Sequence, residues 1–497
     1  MLVPVALLIP WLNPFAGGPS PAVTPWLVSA FCAAFVCLLH ARLTARSVAV
    51  SWLLAAVLSA LMGLLQYFGL TQGLTPWLHA ASLGEAFANL RQRNQFATLT
   101  SIGLLALSWH VAQWRLPVQE DTGETDNRGY GILAGYALVL PLALGNAASG
   151  SRTGLLQWLL VTALTLLWRP RSQWRLVGLS VAALAMYLLA VLALPVLLEW
   201  ATGQAGGGLM KRMTEDMGCS SRRVMWANVL HLIAQKPWWG WGWGELDYAH
   251  FITLYPGERF CEILDNAHNL PLHLAVELGV PLSLAVCGGG LWLVWHAQPW
   301  RERDTTRQLA WGVLVVILLH SLLEYPLWYG PFQIAFGLSV WLLTAGGRTA
   351  TPAQQQIMPK AWARQMLVAA LLMAPIAYAA WDYHRISQIY LDPEVRDAVY
   401  RDNTLGKLKS SRLFADQVNF AELTTTPVEP ENAARLNAMA HQVLHYSPEA
   451  RVVEKLVESA TMLGRNDEAL SYVQRFKIAY PQEYERWAKG NANDDAD

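Results

Sequence analysis

The chain has little charge. Asp, Glu, Lys and Arg make up only 14% of its 497 residues, and hydrophobic residues make up 54%. A soluble globular chain carries roughly a quarter charged residues, so this composition excludes an ordinary soluble domain and predicts a polytopic membrane protein. The 36 basic residues are balanced by 36 acidic ones, which removes the basic excess typical of nucleic-acid-binding proteins. We therefore predict no nucleic-acid partner.

Motifs for bound cofactors are also missing. The glycine-rich stretch 240–245 lacks the G-x-G-x-x-G spacing of a dinucleotide site. No H-E-x-x-H motif occurs, and no cysteine joins the histidines at zinc-ligand spacing. The sequence thus predicts no cofactor and no metal bound through histidine. The acidic residues of the loop 200–267 form no D-x-D cluster, and the sequence leaves Mg²⁺ binding open.

Cysteine is scarce, with five in the chain. Three fall in apolar runs, where free cysteines are usually packing residues. Cys219 and Cys261 lie in one long polar loop instead. A disulfide between them would need an oxidising compartment, and the sequence leaves the disulfide and two free thiols equally open.

Long apolar runs are frequent. A membrane-spanning helix needs about 20 mostly apolar residues, and Leu2–Leu12 is short for that length. We predict an all-α polytopic fold with about 10–11 transmembrane helices. The full-length candidates are 26–40, 48–69, 95–113, 130–147, 153–168, 176–199, 271–296, 308–323, 329–345 and 364–381.

The short basic loops predict the orientation, because Lys and Arg favour the cytoplasmic side. Counting spans puts these loops on one side and the large loop 200–267 on the other, outer side. The region 382–497 also falls on the outer side. We predict two domains, a transmembrane domain over 1–381 and an outer helical domain over 382–497.

The C-terminal region is polar and helix-forming. Residues 451–481 have the apolar spacing of two packed helices, with Gly464 at the turn. This pattern fits one tetratricopeptide-like pair and fits a plain helical hairpin equally well.

Several arginines lie on the outer side, against the positive-inside bias. Arg152 occupies a turn too short to wander, and Arg91 and Arg93 flank a group of amides that includes Asn94 and Gln95. Guanidinium groups fork onto phosphate oxygens, so this group suits a lipid-linked phosphate or pyrophosphate. For any single arginine, the alternative is a solvated or headgroup-contacting charge.

Two histidines stand out. His268 follows Asp265 and Asn266 at the outer end of a predicted span, where an imidazole can accept a proton from a hydroxyl. Its chemistry alone favours a helix-capping cluster, with Asp265 or Asn266 as the cap. His320 and Glu324 lie four residues apart, which predicts one helical face within an apolar span. Ionisable residues there are costly and are usually functional or paired.

The segment 222–246 predicts an amphipathic helix followed by a Pro/Gly/Trp-rich turn. Its tryptophans favour interfacial anchoring, although one or two could stack on sugar rings. They are Trp238, Trp239, Trp241 and Trp243.

Three motifs resemble the O-antigen ligase and polymerase (Wzy_C) superfamily. They are R-x-x-x-W at Arg222 and Trp226, P-x-x-G-x-G at 237–242, and A-H-N-x-x-L at 267–272. The stretches PWLNPF (10–15), LRQRNQFA (90–97) and HSLLEYPLWY (320–329) resemble the branch of PglL-type protein O-oligosaccharyltransferases.

The resemblance implies a multi-pass enzyme of the bacterial inner membrane with a GT-C-like fold and a periplasmic active site and C-terminal domain. It would transfer a preassembled glycan from undecaprenyl pyrophosphate to an acceptor hydroxyl. In the PglL-type branch, the acceptor is a Ser or Thr of a periplasmic protein, often a pilin.

The same resemblance suggests roles. His268 would orient or deprotonate the acceptor hydroxyl, and Arg152 and Arg222, with Arg93, would hold the pyrophosphate. An oxocarbenium-like sugar and inversion by single displacement would follow. The predicted substrate-binding residues are Arg91, Arg93, Asn94, Gln95, Asp265, Asn269, His320, Glu324 and Tyr325.

Alternatives remain at this stage. An O-antigen ligase acting on lipid A core and a Wzy-type polymerase share the donor and differ in the acceptor. A polysaccharide or lipid transporter is a different class, but it would place charges along a full transmembrane path. A structural membrane anchor would not need His268 or the outer arginines.

Overall fold

The computed structural model describes residues 2–113, 128–168, 174–204, 208–209, 218–345 and 359–494. All regular elements within these ranges are helices, so the predicted all-α fold is confirmed for the described part of the chain. Residues 205–207 and 210–217 of the predicted loop 200–267 lie outside it. The described chain divides into two compact units, which combine segments distant in sequence.

The first unit comprises 1–16, 20–215 and 292–377. Its long helices are α1 (Leu2–Leu12), α2 (Val23–Leu38), α3 (Ala45–Tyr67), α4 (Arg93–Gln113), α5 (Arg128–Ala148), α6 (Arg152–Trp168) and α7 (Trp174–Thr202).

The second unit comprises 17–19, 216–291 and 378–497. Its loop helices are α8 (Arg222–Gln235), α9 (Leu246–Ile252), α10 (Leu270–Leu278) and the first part of α11 (Val280–Ala297). The chain then returns to the first unit through α12 (Thr305–Ser321), α13 (Gly330–Ala345) and most of α14 (Pro359–Ser387). The C-terminal helices are α15 (Thr404–Leu408), α16 (Ala415–Thr425), α17 (Ala433–Tyr446), α18 (Ala450–Met462), α19 (Asn466–Ala479) and α20 (Pro481–Asp494).

Helix α4 is the centre of the first unit. It packs against α3, α5, α6 and α12, and most of its side chains are buried. Small residues allow these helices to approach closely: Gly103 of α4 lies against Ala56 of α3, and Gly145 of α5 lies against Ala60. Such small-residue contacts are typical of helices packed in a membrane. They leave no room for side chains at the two glycines.

Four helical segments of the described chain are long and apolar enough to cross a membrane, namely Ala45–Tyr67, Arg175–Thr202, Val280–Arg301 and Met366–Tyr390. Shorter apolar helices occur at Leu2–Leu12, Val23–Leu38, Gly135–Ala148 and Gly330–Thr344. A multi-pass membrane protein is therefore supported. The figure of about 10–11 spans stays a prediction.

The predicted span 271–296 is wrong as a single helix. It is divided at Gly279, whose φ of +87° is easily adopted only by glycine. The turn between α8 and α9 packs here: the Trp241 and Gly242 amides donate to the Val276 and Glu277 carbonyls at 2.8 and 2.9 Å. A Cβ on Gly279 would collide with the Trp238 carbonyl, and one on Gly240 would collide with that of Glu277. The P-x-x-G-x-G turn is thus held against the end of α10 by these two backbone hydrogen bonds, and we call this contact the clip.

A disulfide joins Cys219 to Cys261, which resolves the alternative that the sequence leaves open. The bond ties the segment before α8 to the segment before α10. It therefore closes a loop that contains the R-x-x-x-W and P-x-x-G-x-G motifs.

The C-terminal helices build their core partly from the loop. Phe251 of α9 is 2% exposed and belongs to the apolar cluster formed by α16 to α19. Arg475 donates to the Ile252 carbonyl at 2.9 Å, and Glu245 pairs with His445 at 2.7 Å. The predicted helical pair in 451–481 is present as α18 and α19, with Gly464 between them at φ +72°. Its tetratricopeptide likeness and the domain boundary at 381/382 stay predictions.

Candidate functional site

His268 has a left-handed backbone with φ +49°, which is uncommon for a residue other than glycine. Two side chains hold the peptide group that precedes it. The Asn266 side-chain oxygen accepts from the His268 amide at 2.9 Å, and the Trp226 indole donates to the Ala267 carbonyl at 3.0 Å. Strained backbone held by its surroundings is concentrated at functional sites. The R-x-x-x-W and A-H-N motifs therefore meet at one peptide bond.

Two neighbours of His268 have different roles: Asn269 caps a helix, and Asp265 supplies a charge. Asn269 is the N-cap of α10, because its side-chain oxygen accepts from the Leu272 amide at 3.1 Å. The expected cap at Asp265 or Asn266 is thus wrong, since the cap needs the residue directly before the helix. Asp265 is exposed and interacts electrostatically with His268.

Arg222 is the first residue of α8 and is half-buried. The Ser221 side chain caps this helix by accepting from the Val224 amide. Trp226 lies one helical turn after Arg222, so α8 presents the guanidinium near the same end as the indole that holds the Ala267 carbonyl.

His250, in the same unit, provides a contrast. Its ring lies between the Tyr255 hydroxyl at 2.8 Å and the Phe260 carbonyl at 3.1 Å, and it is 3% exposed. Burial, with the nearby Arg259, lowers the pKa of His250 to about 3. This histidine is neutral and structural at ordinary pH.

The described acids of the loop are not clustered as metal ligands. Burial, with Asp265 and Glu245 nearby, raises the pKa of Asp247 to about 7. Within the described ranges, no group of three or more His, Cys, Asp or Glu side chains is arranged to hold a metal ion.

In the first unit, polar side chains meet at the start of α4. Asn94 donates to Glu324 at 3.1 Å, and one turn further the Thr98 hydroxyl lies 2.9 Å from His320 Nδ1. His320 and Glu324 are 0% and 6% exposed. Helix α12 ends at Ser321, so Glu324 lies just beyond it. The Glu324 amide still donates to the His320 carbonyl at 2.8 Å, and both side chains reach α4, so the predicted shared face is kept at the end of the helix.

Further polar residues complete this cluster, and the sequence reasoning missed them. Gln157 of α6 hydrogen-bonds to Thr98 and to the Val316 carbonyl, and the Ser151 hydroxyl donates to Asn94 at 2.6 Å. The signal was available, since a glutamine within an apolar helix is as unusual as a histidine. Arg152 follows Ser151 directly and is exposed at the first residue of α6.

The other predicted arginines are bound by protein groups. Arg91, with φ +60°, donates to His79 at 2.7 Å and to the Pro14 carbonyl at 2.8 Å. Burial and the Arg91 charge lower the pKa of His79, which keeps it an acceptor. Arg93 pairs with Glu85 at 2.9 Å while both side chains remain about one-third exposed. Arg91 therefore links the segment at His79 to the segment at Pro14, and Arg93 keeps a charge that faces solvent.

Gln95 and Tyr325 complete the predicted residues. Gln95 is 2% exposed, and its side-chain nitrogen has no hydrogen-bond partner among the described residues. Tyr325 stacks on Tyr329 with ring centroids 5.8 Å apart. The predicted site residues thus form two groups, one in each unit.

Three family models match the chain. One described as "Protein glycosylation ligase" matches 86–109, one described as "O-Antigen ligase" matches 137–287, and one described as "Virulence factor membrane-bound polymerase, C-terminal" matches 308–493. The resemblance that the motifs carry is thereby confirmed: the chain is similar to PglL-type proteins within the O-antigen ligase superfamily.

Two relatives come from Acinetobacter baylyi. A general O-oligosaccharyltransferase is 25% identical over 34% of this chain and 29% of its own length. A ComP-specific O-oligosaccharyltransferase is 26% identical over 51% of this chain and 43% of its own length. The alignments thus span less than half of each relative. No solved structure matches the chain significantly.

Proposed function

We propose that this chain transfers a preassembled glycan from undecaprenyl pyrophosphate to a Ser or Thr hydroxyl of a periplasmic, pilin-like protein. The peptide group before His268, held between Asn266 and Trp226, is the observation that carries the proposal. Because both sides of this peptide group are hydrogen-bonded, the backbone at His268 has a defined orientation, which supports a catalytic role for the imidazole. The match of 86–109 to a protein glycosylation ligase supports a protein acceptor.

The reaction is a single displacement. The acceptor oxygen attacks the anomeric carbon, and the bond from that carbon to the pyrophosphate oxygen breaks with its electron pair leaving on undecaprenyl pyrophosphate. The hydroxyl proton passes to a His268 ring nitrogen. Asp265 stabilises the imidazolium that forms, because it interacts with His268 electrostatically.

Arginine holds the leaving group in this mechanism. Arg152 and Arg222 begin helices α6 and α8, where the first amides add positive potential. The resemblance assigns these two arginines and Arg93 to the pyrophosphate, where each guanidinium would stabilise the negative charge that grows as the sugar–oxygen bond breaks. Asn94, Glu324 and His320 form a fixed polar wall at the start of α4, and we assign Gln95, Asn269 and Tyr325 to the surroundings of the substrates. Arg91 would act indirectly, by holding its loop.

The disulfide supports a location for this chemistry. Disulfides persist in oxidising compartments such as the periplasm, and Cys219–Cys261 closes the loop that carries Trp226. We place the chain in the bacterial inner membrane, with this loop and 382–497 on the periplasmic side.

The test uses a bacterium that assembles a lipid-linked glycan but lacks its own ligase and protein oligosaccharyltransferase. The full chain is expressed with a candidate pilin, and the pilin's intact mass and the lipopolysaccharide profile are recorded. We expect a pilin heavier by one glycan. Glycan on lipid A core with an unmodified pilin would indicate a ligase, and longer lipid-linked glycans would indicate a polymerase. Export of free glycan would favour a transporter.

Trp226→Phe should separate positioning from packing. It keeps an aromatic ring but removes the indole N–H that holds the Ala267 carbonyl. We expect transfer to fall by about twofold to tenfold, because one such hydrogen bond contributes roughly 0.5–1.5 kcal/mol, with the acceptor KM unchanged. Initial rates on a pilin peptide in proteoliposomes measure both.

Trp241→Phe is the matched control. Its indole also donates to a backbone carbonyl, that of Leu232 at 3.0 Å, but it does not touch the peptide before His268. The control should keep most of its activity with a similar loss of thermal stability. Equal activity losses in the two variants would contradict a specific positioning role for Trp226.

A further inference from the structure

Two adjacent tryptophans are almost fully exposed. Trp238 and Trp239 are 71% and 88% exposed in the turn between α8 and α9. Indole is large and amphipathic, so two exposed neighbours on a rigid turn indicate a surface that is covered in the working protein. Trp241, three residues along from Trp238, is instead packed through its indole hydrogen bond to Leu232.

The position of this pair indicates what covers it. The Val280 amide donates to the Pro237 carbonyl at 2.8 Å, and the Trp238 carbonyl lies against Gly279. Val280 begins α11, and the segment Val280–Arg301 is long and apolar enough to cross a membrane. Of the residues of α11, all of which the structure describes, only Ser283 is buried. The tryptophans therefore stand beside the first residue of an exposed apolar helix.

The side chains beyond that residue are apolar and exposed. Leu282, Leu284 and Val286 are 47%, 67% and 52% exposed, as expected for a helix that contacts lipid. On the other side of the turn, the Lys236 ammonium lies 3.9 Å from the centre of the Trp241 ring and is exposed. Trp and Lys at the end of an apolar helix are the usual composition of a membrane interface.

We propose that residues 236–239 form an anchor in the headgroup region of the bilayer, and that its partner is the lipid–water interface itself. Trp238 and Trp239 insert their rings at headgroup depth, and Lys236 faces the lipid phosphates. The anchor is rigidly linked to α10, because the following residues clip the last turn of that helix through Trp241 and Gly242.

The consequence concerns His268, and this step rests on the proposed function. His268 lies two residues before α10, so the anchor fixes its depth relative to the membrane surface. A lipid-linked donor presents its pyrophosphate at a defined depth. The anchor would therefore hold the general base at the level of the bond to be broken.

Depth measurement tests the anchor without any assay of transfer. The three free cysteines Cys32, Cys37 and Cys287 are replaced by alanine, and a nitroxide is attached at Trp239→Cys in the full chain in phosphatidylglycerol-containing nanodiscs. Collision with oxygen and with a water-soluble nickel chelate gives the depth. Leu470→Cys, at a 60% exposed position of α19, is the control. We expect the label at 239 to collide often with oxygen and rarely with the nickel chelate. The label at 470 should collide often with the nickel chelate, as a water-exposed label does. Water exposure at both positions would overturn the anchor.

Activity then tests the consequence. The double variant W238S/W239S should lose transfer in vesicles by roughly tenfold to a hundredfold, since a misplacement of about 1 Å can cost a hundredfold, while Leu470→Ser should match the wild type. Wild-type rates for W238S/W239S would overturn the link to His268 even if the label is buried. A higher KM for the glycan with a water-exposed label would instead identify Trp239 as a sugar-stacking residue and sink the anchor. If the wild-type protein showed no transfer, that result would contradict the proposed function but not the anchor, which the depth measurement tests separately.

Discussion

Replacing His268 with alanine should reduce glycan transfer by about a hundredfold to ten-thousandfold, the range over which a positioned general base contributes. The imidazole is the group that receives the acceptor proton in the proposed displacement, and neither Asn266 nor Asn269 can replace it because an amide does not accept a proton at neutral pH. The protein should still insert in the membrane at normal abundance. Single-turnover transfer to a pilin peptide in proteoliposomes measures the loss.

Backbone strain complicates the alanine variant, and a second substitution removes the complication. His268 has φ +49°, a conformation that costs roughly 1–2 kcal/mol for most residues but that asparagine tolerates. His268→Asn should therefore fold as the wild type does and still be inactive. His384→Ala, which removes an exposed C-terminal histidine paired with Asp397, should keep full activity. An active asparagine variant would show that backbone shape, and not the imidazole, is what the reaction needs.

Replacing Phe251 with alanine should destabilise the second unit by about 3–5 kcal/mol, as expected for loss of a buried phenylalanine. The ring is 2% exposed among side chains of the C-terminal helices, and it lies over Tyr480 with centroids 6.3 Å apart. Both the loop helix α9 and the C-terminal helices should exchange their amide hydrogens faster, because they share this core. Hydrogen exchange of the full chain in nanodiscs, read by mass spectrometry, measures the effect.

Phe251→Leu is the matched variant, since it keeps most of the apolar volume and should cost under about half as much. Protection in α3 and α4 of the first unit should be unchanged in both variants. If Phe251→Ala accelerated exchange in α9 alone, the C-terminal helices would be stable without the loop, and the predicted division at 381/382 would describe an independent domain.

The helical fold could be predicted because its signals are local. The apolar runs around α3, α7 and α14 are continuous in sequence, and Gly464 lies at the turn between two amphipathic segments. The break at Gly279 could not be predicted in the same way. The run 271–296 reads as one apolar helix, and the interruption comes from a turn 35 residues earlier, whose Trp241 and Gly242 amides bind the carbonyls of Val276 and Glu277.

The site was less predictable for the same physical reason. His268 is singled out only by the resemblance of A-H-N-x-x-L to a known motif, since its local pattern favours a cap. That Trp226 holds its peptide group depends on a contact between segments 41 residues apart. For Arg91, the sequence could not show that two of its donors bind His79 and the Pro14 carbonyl, and its contact with a substrate stays a prediction. A sequence shows which residue types are present, but it does not show which neighbouring groups bind a given side chain.

The clip between the P-x-x-G-x-G turn and α10 also restricts how this chain can vary. Gly240 faces the carbonyl of Glu277, and Gly279 faces that of Trp238, so each glycine occupies space that the other segment's backbone needs. Both also have positive φ. A mutation at either position would separate the two segments and remove the steric reason for glycine at the other. The two positions are therefore coupled, and because the positive φ would strain any other residue even in the absence of the clash, directed evolution of this loop should keep both glycines.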